Sequence, residues 1–288
     1  MLVFERGLRM LEILKEAGID SIKLLPFLFL VYLIMEYIEH KSTKKTEKII
    51  KSSGKFGPII GGILGAFPQC GFSVMASNLY VARVITLGTL FSIYLSTSDE
   101  MLPILLTSRA SFSVIGKFLL SKILIGIIVG LIIDFLIRGK RTKVKTEMEK
   151  ICNNEHCHCE ENIFLSSFKH SFSIFVFIFI INVVMDSLIF VVGEETLSSL
   201  FVSNIFIGPI VSSLIGLIPN CASSVVITEL FIGKTITFGS AIAGLLSSSG
   251  IGLLVLFKVN KDYKENLKIL ASLYLTSTVI GIILNLFF

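Results

Sequence analysis

The sequence predicts an all-α, polytopic membrane protein made of two inverted copies of one membrane unit, with broken or re-entrant helices. Three observations predict it. The first is composition: of 288 residues, 53% are hydrophobic and only 16% charged, and the mean hydropathy is +0.85. Soluble domains carry about 25% charged residues. The second is patterning: apolar stretches long enough for membrane spans alternate with short runs of Lys and Arg, as cytoplasmic loops do under the positive-inside rule. The third is a repeat of the whole pattern at a fixed offset.

At roughly 20 residues per span, the chain has room for about six full spans, or for more if some are short or broken. The net charge of +5 is spread over these loops and is not a nucleic-acid signal. Residues 1–19 read as an amphipathic helix rather than a cleaved leader. Phe4, Leu8, Leu11 and Leu14 fall near one face, and Glu5, Arg6, Arg9, Glu12 and Glu16 mostly off it. Such a helix either lies in the membrane interface or packs on the protein. Of the five cysteines, three crowd one polar loop and two sit in apolar surroundings, which is not a secreted disulfide framework.

The first unit covers residues 20–137. Its apolar stretches run from about 22 to 38, from 57 to 82, from 84 to 106 and from 112 to 137. The second is broken at Pro68-Gln69-Cys70-Gly71, the third at Ser96-Thr97-Ser98-Asp99-Glu100. Residues 138–170 form the most polar segment. The second unit, 171–288, has stretches at 171–192, 207–233, 235–257 and 268–288, broken at Pro219-Asn220-Cys221 and Ser247-Ser248-Ser249-Gly250.

A gapless shift of 151 residues superposes the units. It brings Gly57-Pro58-Ile59 onto Gly208-Pro209-Ile210, Gly65 onto Gly216, Pro68 onto Pro219 and Cys70 onto Cys221. It also brings Ile85-Thr86 onto Ile236-Thr237, Gly88 onto Gly239, Ser96 onto Ser247 and Gly130 onto Gly281. Apolar composition alone would match Leu with Ile; it would not align Pro, Cys, Gly and Thr in one register.

Equivalent loops carry opposite charge. Lys41, Lys44, Lys45, Lys48, Lys51 and Lys55 follow the first stretch of unit one, where unit two has Glu194 and Glu195. Only Arg109 separates the last two stretches of unit one, where unit two has Lys258, Lys261, Lys264 and Lys268. The units should therefore face opposite sides of the membrane, as inverted repeats of secondary transporters do. Loops 39–55, 138–170 and 258–268 are predicted cytoplasmic; residues 193–206 and both termini are predicted external. The broken stretches 57–82 and 207–233 are either re-entrant hairpins or pairs of short spans, and both leave this topology unchanged.

Three clusters are candidates for chemistry. The Pro-polar-Cys breaks free backbone groups that need partners or a water-filled cavity inside a bilayer. Gln69, Cys70, Asn220 and Cys221 sit there, and symmetry would bring the two breaks together near the midplane. The alternative is a kink with a small buried Cys as packing filler. The Ser-rich breaks come next. Asp99 and Glu100 inside an apolar stretch are functional candidates by default. With Ser96 and Ser98, and Ser247 and Ser249 opposite, they offer oxygens to a hard cation or carry coupling protons. A solvated surface loop is the alternative. Other acids in apolar stretches are Glu36, Asp134, Asp186 and Glu229; Glu229, two turns after Cys221, is the best ligand among them. Finally, Cys152, His156, Cys157, His158 and Cys159 bring three thiols and two imidazoles into eight residues. These suit zinc, copper or other soft metals. The spacing fits no closed zinc-finger pattern, so a flexible metal-collecting tract is expected, with a chance Cys/His-rich linker as the alternative. Gly57, Gly61 and Gly65, and Gly126 with Gly130, read as close helix contacts. There is no phosphate loop, nucleotide motif or catalytic triad, so neither an enzyme nor a self-contained ATP-driven pump is expected, and no cofactor beyond a transported metal.

The segments Gly-Ala-Phe-Pro-Gln-Cys-Gly-Phe-Ser (65–73), Ile-Thr-Leu-Gly-Thr-Leu with Leu-Ser-Thr-Ser-Asp-Glu-Met-Leu-Pro (85–103) and Gly-Leu-Ile-Pro-Asn-Cys-Ala (216–222) resemble a bacterial family of heavy-metal exporters. Its members are variously labelled arsenic efflux proteins or manganese transporters. The resemblance covers nearly the whole chain, the Cys/His loop included. It implies about ten membrane helices, five per unit, and an odd number agrees with inversion. The expected function is export of a heavy-metal ion across the cytoplasmic membrane. The acids, amides and hydroxyls favour a divalent cation such as Mn²⁺, with protons as the coupling ion. An arsenite or organoarsenical permease, and a membrane metal sensor or scaffold without transport, are the alternatives.

Overall fold

The computed structural model describes residues 56–67, 71–98, 101–137, 205–219 and 221–287, with isolated helical positions between 15 and 33 and between 168 and 184. The described residues form helices and turns, with no strand among them. In the first unit, α1 spans Phe56–Gly65, α2 Gly71–Val81, α3 Leu87–Ser96, α4 Met101–Thr107 and α5 Phe112–Ile137. In the second, α6 spans Ile207–Gly216, α7 Cys221–Ile232, α8 Phe238–Ser247, α9 Gly252–Val259 and α10 Tyr263–Phe287. Adding 151 to the bounds of α1 and α3 gives those of α6 and α8; the other pairs agree to within one residue. The last helix starts at Tyr263, ahead of the apolar stretch expected from residue 268. Asp262 explains this: its Oδ1 accepts from the backbone N–H of Lys264 (3.0 Å) and Glu265 (3.2 Å), an N-terminal cap.

Helix lengths divide the elements into two kinds. Three helices among the described residues are long and apolar enough to cross a membrane: α5, α10, and α8 with α9 taken through its break. At 1.5 Å per residue, α1, α2, α6 and α7 each rise about 15–18 Å, roughly half of a hydrocarbon core about 30 Å thick. The apolar windows of α5 and α10 are 17% and 28% buried, against 89% for α8–α9. Hence α5 and α10 are peripheral, with apolar faces left for lipid, and the interrupted helices are central.

Small residues let the layers close. Gly57, Gly61 and Gly65 of α1 lie against Thr89, Ile93 and Ser96 of α3, and Gly126 and Gly130 of α5 lie against Ser92 and Gly88. A Cβ on Gly65 would overlap Ser96 Oγ and Ile93 O, and one on Gly216 would overlap Ser247 Oγ and Gly244 O. Side chains then fix the helix starts. Thr86 and Thr237 are N-caps whose hydroxyls accept from the N–H of Thr89 and Ser240. Asp134 at the far end of α5 accepts from Thr86 Oγ1 (2.6 Å) and Gly88 N (3.0 Å), placing a carboxylate at the positive end of α3. Arg83 and Lys234 take the same left-handed turn, φ 59° and 58°, after α2 and α7.

The two units cross over. α9 packs on α2, α4 packs on α7, and α3 meets α8 between them. Leu90, Phe91, Tyr94, Ile242 and Leu245 fill this centre. Ser77 Oγ lies 2.6 Å from Gly252 O and 2.7 Å from the Tyr94 hydroxyl, tying α2, α3 and α9 together.

The two ends of the central layer are fastened differently. At one, Glu265 accepts from Tyr80 (2.5 Å), Asn260 (3.0 Å) and Arg83 (3.3 Å). At the other, the Phe118 ring meets Phe231 (4.8 Å) and Phe238 (4.7 Å) edge-on.

Candidate functional site

The two Ser-rich breaks line a small pocket in the described interior. α3 ends at Ser96, and Thr97 and Ser98 continue as extended chain before α4. α8 ends at Ser247, followed by Ser248 and Ser249 and by Gly250 at φ 56° before α9. An interrupted helix leaves the last carbonyls of its first half without amide partners. Here carbonyls from both breaks meet at one side chain. Thr97, Ser98, Met101 and Lys122 from the first unit and Ser224, Leu245 and Ser248 from the second line one small pocket.

Lys122 dominates it. The side chain comes from the apolar helix α5, is 1% exposed, and donates from Nζ to Thr97 O and to Leu245 O (2.8 Å). Both acceptors belong to the C-terminal ends of half-helices, the negative end of each helix dipole. A cation is therefore held by backbone oxygens supplied by both units. Met101 and Leu245 close the pocket with apolar walls; Ser98, Ser224 and Ser248 supply hydroxyls, all buried.

The sequence candidates divide as follows. Ser98 lines the pocket, its hydroxyl donating to Ser96 O (3.0 Å). Ser96 and Ser247 are buried at the same break, but their hydroxyls serve helix packing. Ser96 Oγ bonds Ser92 O (2.7 Å), and Ser247 Oγ bonds Ser213 O (2.8 Å) and Gly244 O (2.9 Å). Ser249 is buried beside them without lining the pocket. Glu229 is exposed on the last turn of α7, away from the pocket lining. Gln69, Cys70, Asp99, Glu100 and Asn220, the Cys221 side chain, and Cys152, His156, Cys157, His158 and Cys159 lie outside the described residues. So do the segments 1–14 and 138–167. Among the described residues no group of three or more His, Cys, Asp or Glu is placed to hold a metal.

Lys122 was not among the sequence candidates, although it carried a signal. A charged residue ten positions into a 26-residue apolar helix is a functional candidate by default, as carboxylates in apolar stretches are. Its counterpart at the 151-residue offset is Leu273, so the repeat did not flag it.

A model of the family described as "Putative, 10TM heavy-metal exporter" matches residues 22–200, more than half of the chain. The chain belongs to this family. No curated protein and no solved structure matches it. As a member of the heavy-metal exporter family it is a multi-pass membrane protein, in keeping with its membrane-length helices. The Pro-polar-Cys breaks directly precede α2 and α7, whose first turns contribute Ser73, packed on Gly252 at the second break, and Ser224, in the pocket wall.

Proposed function

We propose that the protein is a secondary-active exporter of a divalent metal cation such as Mn²⁺, with protons as the counter-ion. The observation that carries this reading is the meeting of two interrupted helices around an ammonium, with Thr97 O and Leu245 O as its acceptors. Half-helix C-termini and unwound carbonyls are the groups with which transporters hold cations. Hydroxyls of Ser98, Ser224 and Ser248 add hard oxygen ligands of the kind Mn²⁺ prefers. Asp99 and Glu100 follow Ser98 directly in the chain, which puts two carboxylates within two residues of the pocket wall. Gln69 and Cys70 precede α2, and Asn220 precedes α7, which begins at Cys221; the four are proposed to complete the site, the amides as ligands and the thiols as replaceable lining. The Cys/His tract 152–159 is proposed to collect metal on the cytoplasmic side.

Contacts between the units support an inverted arrangement. α3 runs antiparallel to α5, since Gly88 lies by Gly130 and Ser96 by Gly126. Phe238, at the start of α8, meets Phe118 near the start of α5. Glu265, at the start of α10, meets Tyr80 and Arg83 at the other end. α5 and α10 then run in opposite directions, and α1–α2 and α6–α7 enter half-way from opposite faces as re-entrant pairs. The face bearing the Lys-rich loops 39–55, 138–170 and 258–268 is the cytoplasmic one.

The test is flux. Vesicles containing the purified protein are loaded with Mn²⁺, Zn²⁺, Fe²⁺, Co²⁺ or arsenite under an imposed proton gradient. Gradient-dependent movement of Mn²⁺ and not of arsenite is the expected result. Movement of arsenite alone would establish a metalloid permease instead, and no flux at all a sensor or scaffold.

A further inference from the structure

A lysine ammonium at the centre of a cation site requires a physical account. Two positive charges at contact distance in a low-dielectric interior repel strongly, so Lys122 and a metal ion cannot share the nest of Thr97 O and Leu245 O. Resting on the function proposed above, we infer that Lys122 is a tethered stand-in for the exported cation: its ammonium fills the nest while no metal is bound, and leaves it when the metal arrives.

Four observations carry this inference. The acceptors are backbone carbonyls at the ends of α3 and α8, and their polarity comes from helix termini and persists whichever cation is present. Ser98, Ser224 and Ser248 line the same pocket as Lys122, and their hydroxyls are of the oxygen type a metal can use once the amine has gone. A lysine is suited to leaving, because its compact charge rides on a flexible four-carbon stem. The fold, finally, does not call for a charge at this place in the long helix: Leu273 occupies the equivalent position of α10 and is fully buried. Retraction of the ammonium then admits the metal, and its return expels the metal towards whichever face is open. The nest always holds one cation, so the carbonyls of both breaks are never left facing each other uncompensated in a dry interior.

A lysine that merely braced the two breaks would behave differently. Its removal would lower stability and weaken binding together. Removing a stand-in removes a competitor, so binding should strengthen. The experiment uses the full-length protein in lipid nanodiscs, with Mn²⁺ as the probe and calorimetric titration as the readout. Wild type is compared with Lys122→Met and Lys122→Arg, and thermal melting without metal reports folding. The expected result is that Lys122→Met binds Mn²⁺ at least about tenfold more tightly than wild type, equivalent to about 1.4 kcal/mol. Lys122→Arg, whose larger guanidinium keeps its charge, should bind more weakly than wild type. Should Lys122→Met fail to fold, Lys122→Gln is measured against the same expectation. A folded neutral variant that binds Mn²⁺ no more tightly than wild type overturns the inference and leaves the exporter reading standing. Failure of wild type and neutral variant alike to bind any divalent cation overturns both.

Discussion

Asp99→Asn and Glu100→Gln should each abolish Mn²⁺ export, because a hard divalent ion needs charged oxygens beside the carbonyls at the break. The Cys70→Ser/Cys221→Ser double variant should retain export, since thiols are not hard-metal ligands. Metal accumulation in cells checks both; loss of export in the thiol variant with activity intact in Asp99→Asn would exclude the divalent-cation reading. A stability prediction belongs at this scale too. Lys234 sits exposed at φ 58°, a conformation costing a side chain about 1–2 kcal/mol that glycine avoids. Lys234→Gly should raise the melting temperature, whereas Arg83→Gly, at the matching turn, should not, because Arg83 also pairs with Glu265. Ser98, a candidate from the sequence, lines the same pocket as Lys122, which was not one. Ser98 belongs to a visible local cluster. The two carbonyls that meet Lys122 lie 25 and 123 residues away along the chain, and nothing local reports such a meeting. Glu229 is the opposite case. Its distance from Cys221 was readable, but the face it takes on α7 was not.

The seams between helices are set by small residues, and this makes them fragile in a predictable way. Gly65→Val and Gly216→Val should each destabilise the protein by about 1–3 kcal/mol, the usual cost of overpacking. Gly116→Ala is the control: nothing lies within 4 Å of its missing Cβ, so the change should be neutral or stabilise by about 0.5–1 kcal/mol through helix propensity. Thermal melting in detergent orders the three. Of the two end fastenings, Glu265→Ala should cost about 1 kcal/mol, because it strips a part-buried hydrogen-bond partner from Tyr80 and Asn260. Raised salt should weaken the same fastening and spare the Phe118 cluster. At the element scale the sequence was most legible. Breaks at 68–71, 96–100 and 247–250 announced the ends of α1, α3 and α8, since Pro, Gly and Ser runs interrupt apolar periodicity for reasons local to the chain. The start of α10 was misplaced for the converse reason. Its first turns carry Lys264 and Lys268, exposed and polar, and hydropathy alone assigns such turns to a loop.

At the scale of the whole molecule, the crossing of the units was invisible beforehand. α2, α4, α7 and α9 are all largely apolar, and composition does not say which of them pair. The offset of 151 residues, in contrast, was plain, because it rests on Pro, Gly, Thr and Ser in one register. Since α4 packs on α7 and α9 on α2, each unit holds the half-length helices of the other. A fragment of residues 1–150 or 151–288 expressed alone should therefore be degraded, while the two expressed together should copurify as one complex; stable accumulation of either fragment by itself would contradict the mutual clasp. The clasp also has an evolutionary consequence. If the units are inverted as proposed, a lone ancestral unit had no partner to supply the missing grip except a sibling inserted upside down. The ancestor was then a dual-topology homodimer, and gene fusion fixed one orientation for each half. After fusion the halves could diverge, as at the position that is Lys122 in the first and Leu273 in the second.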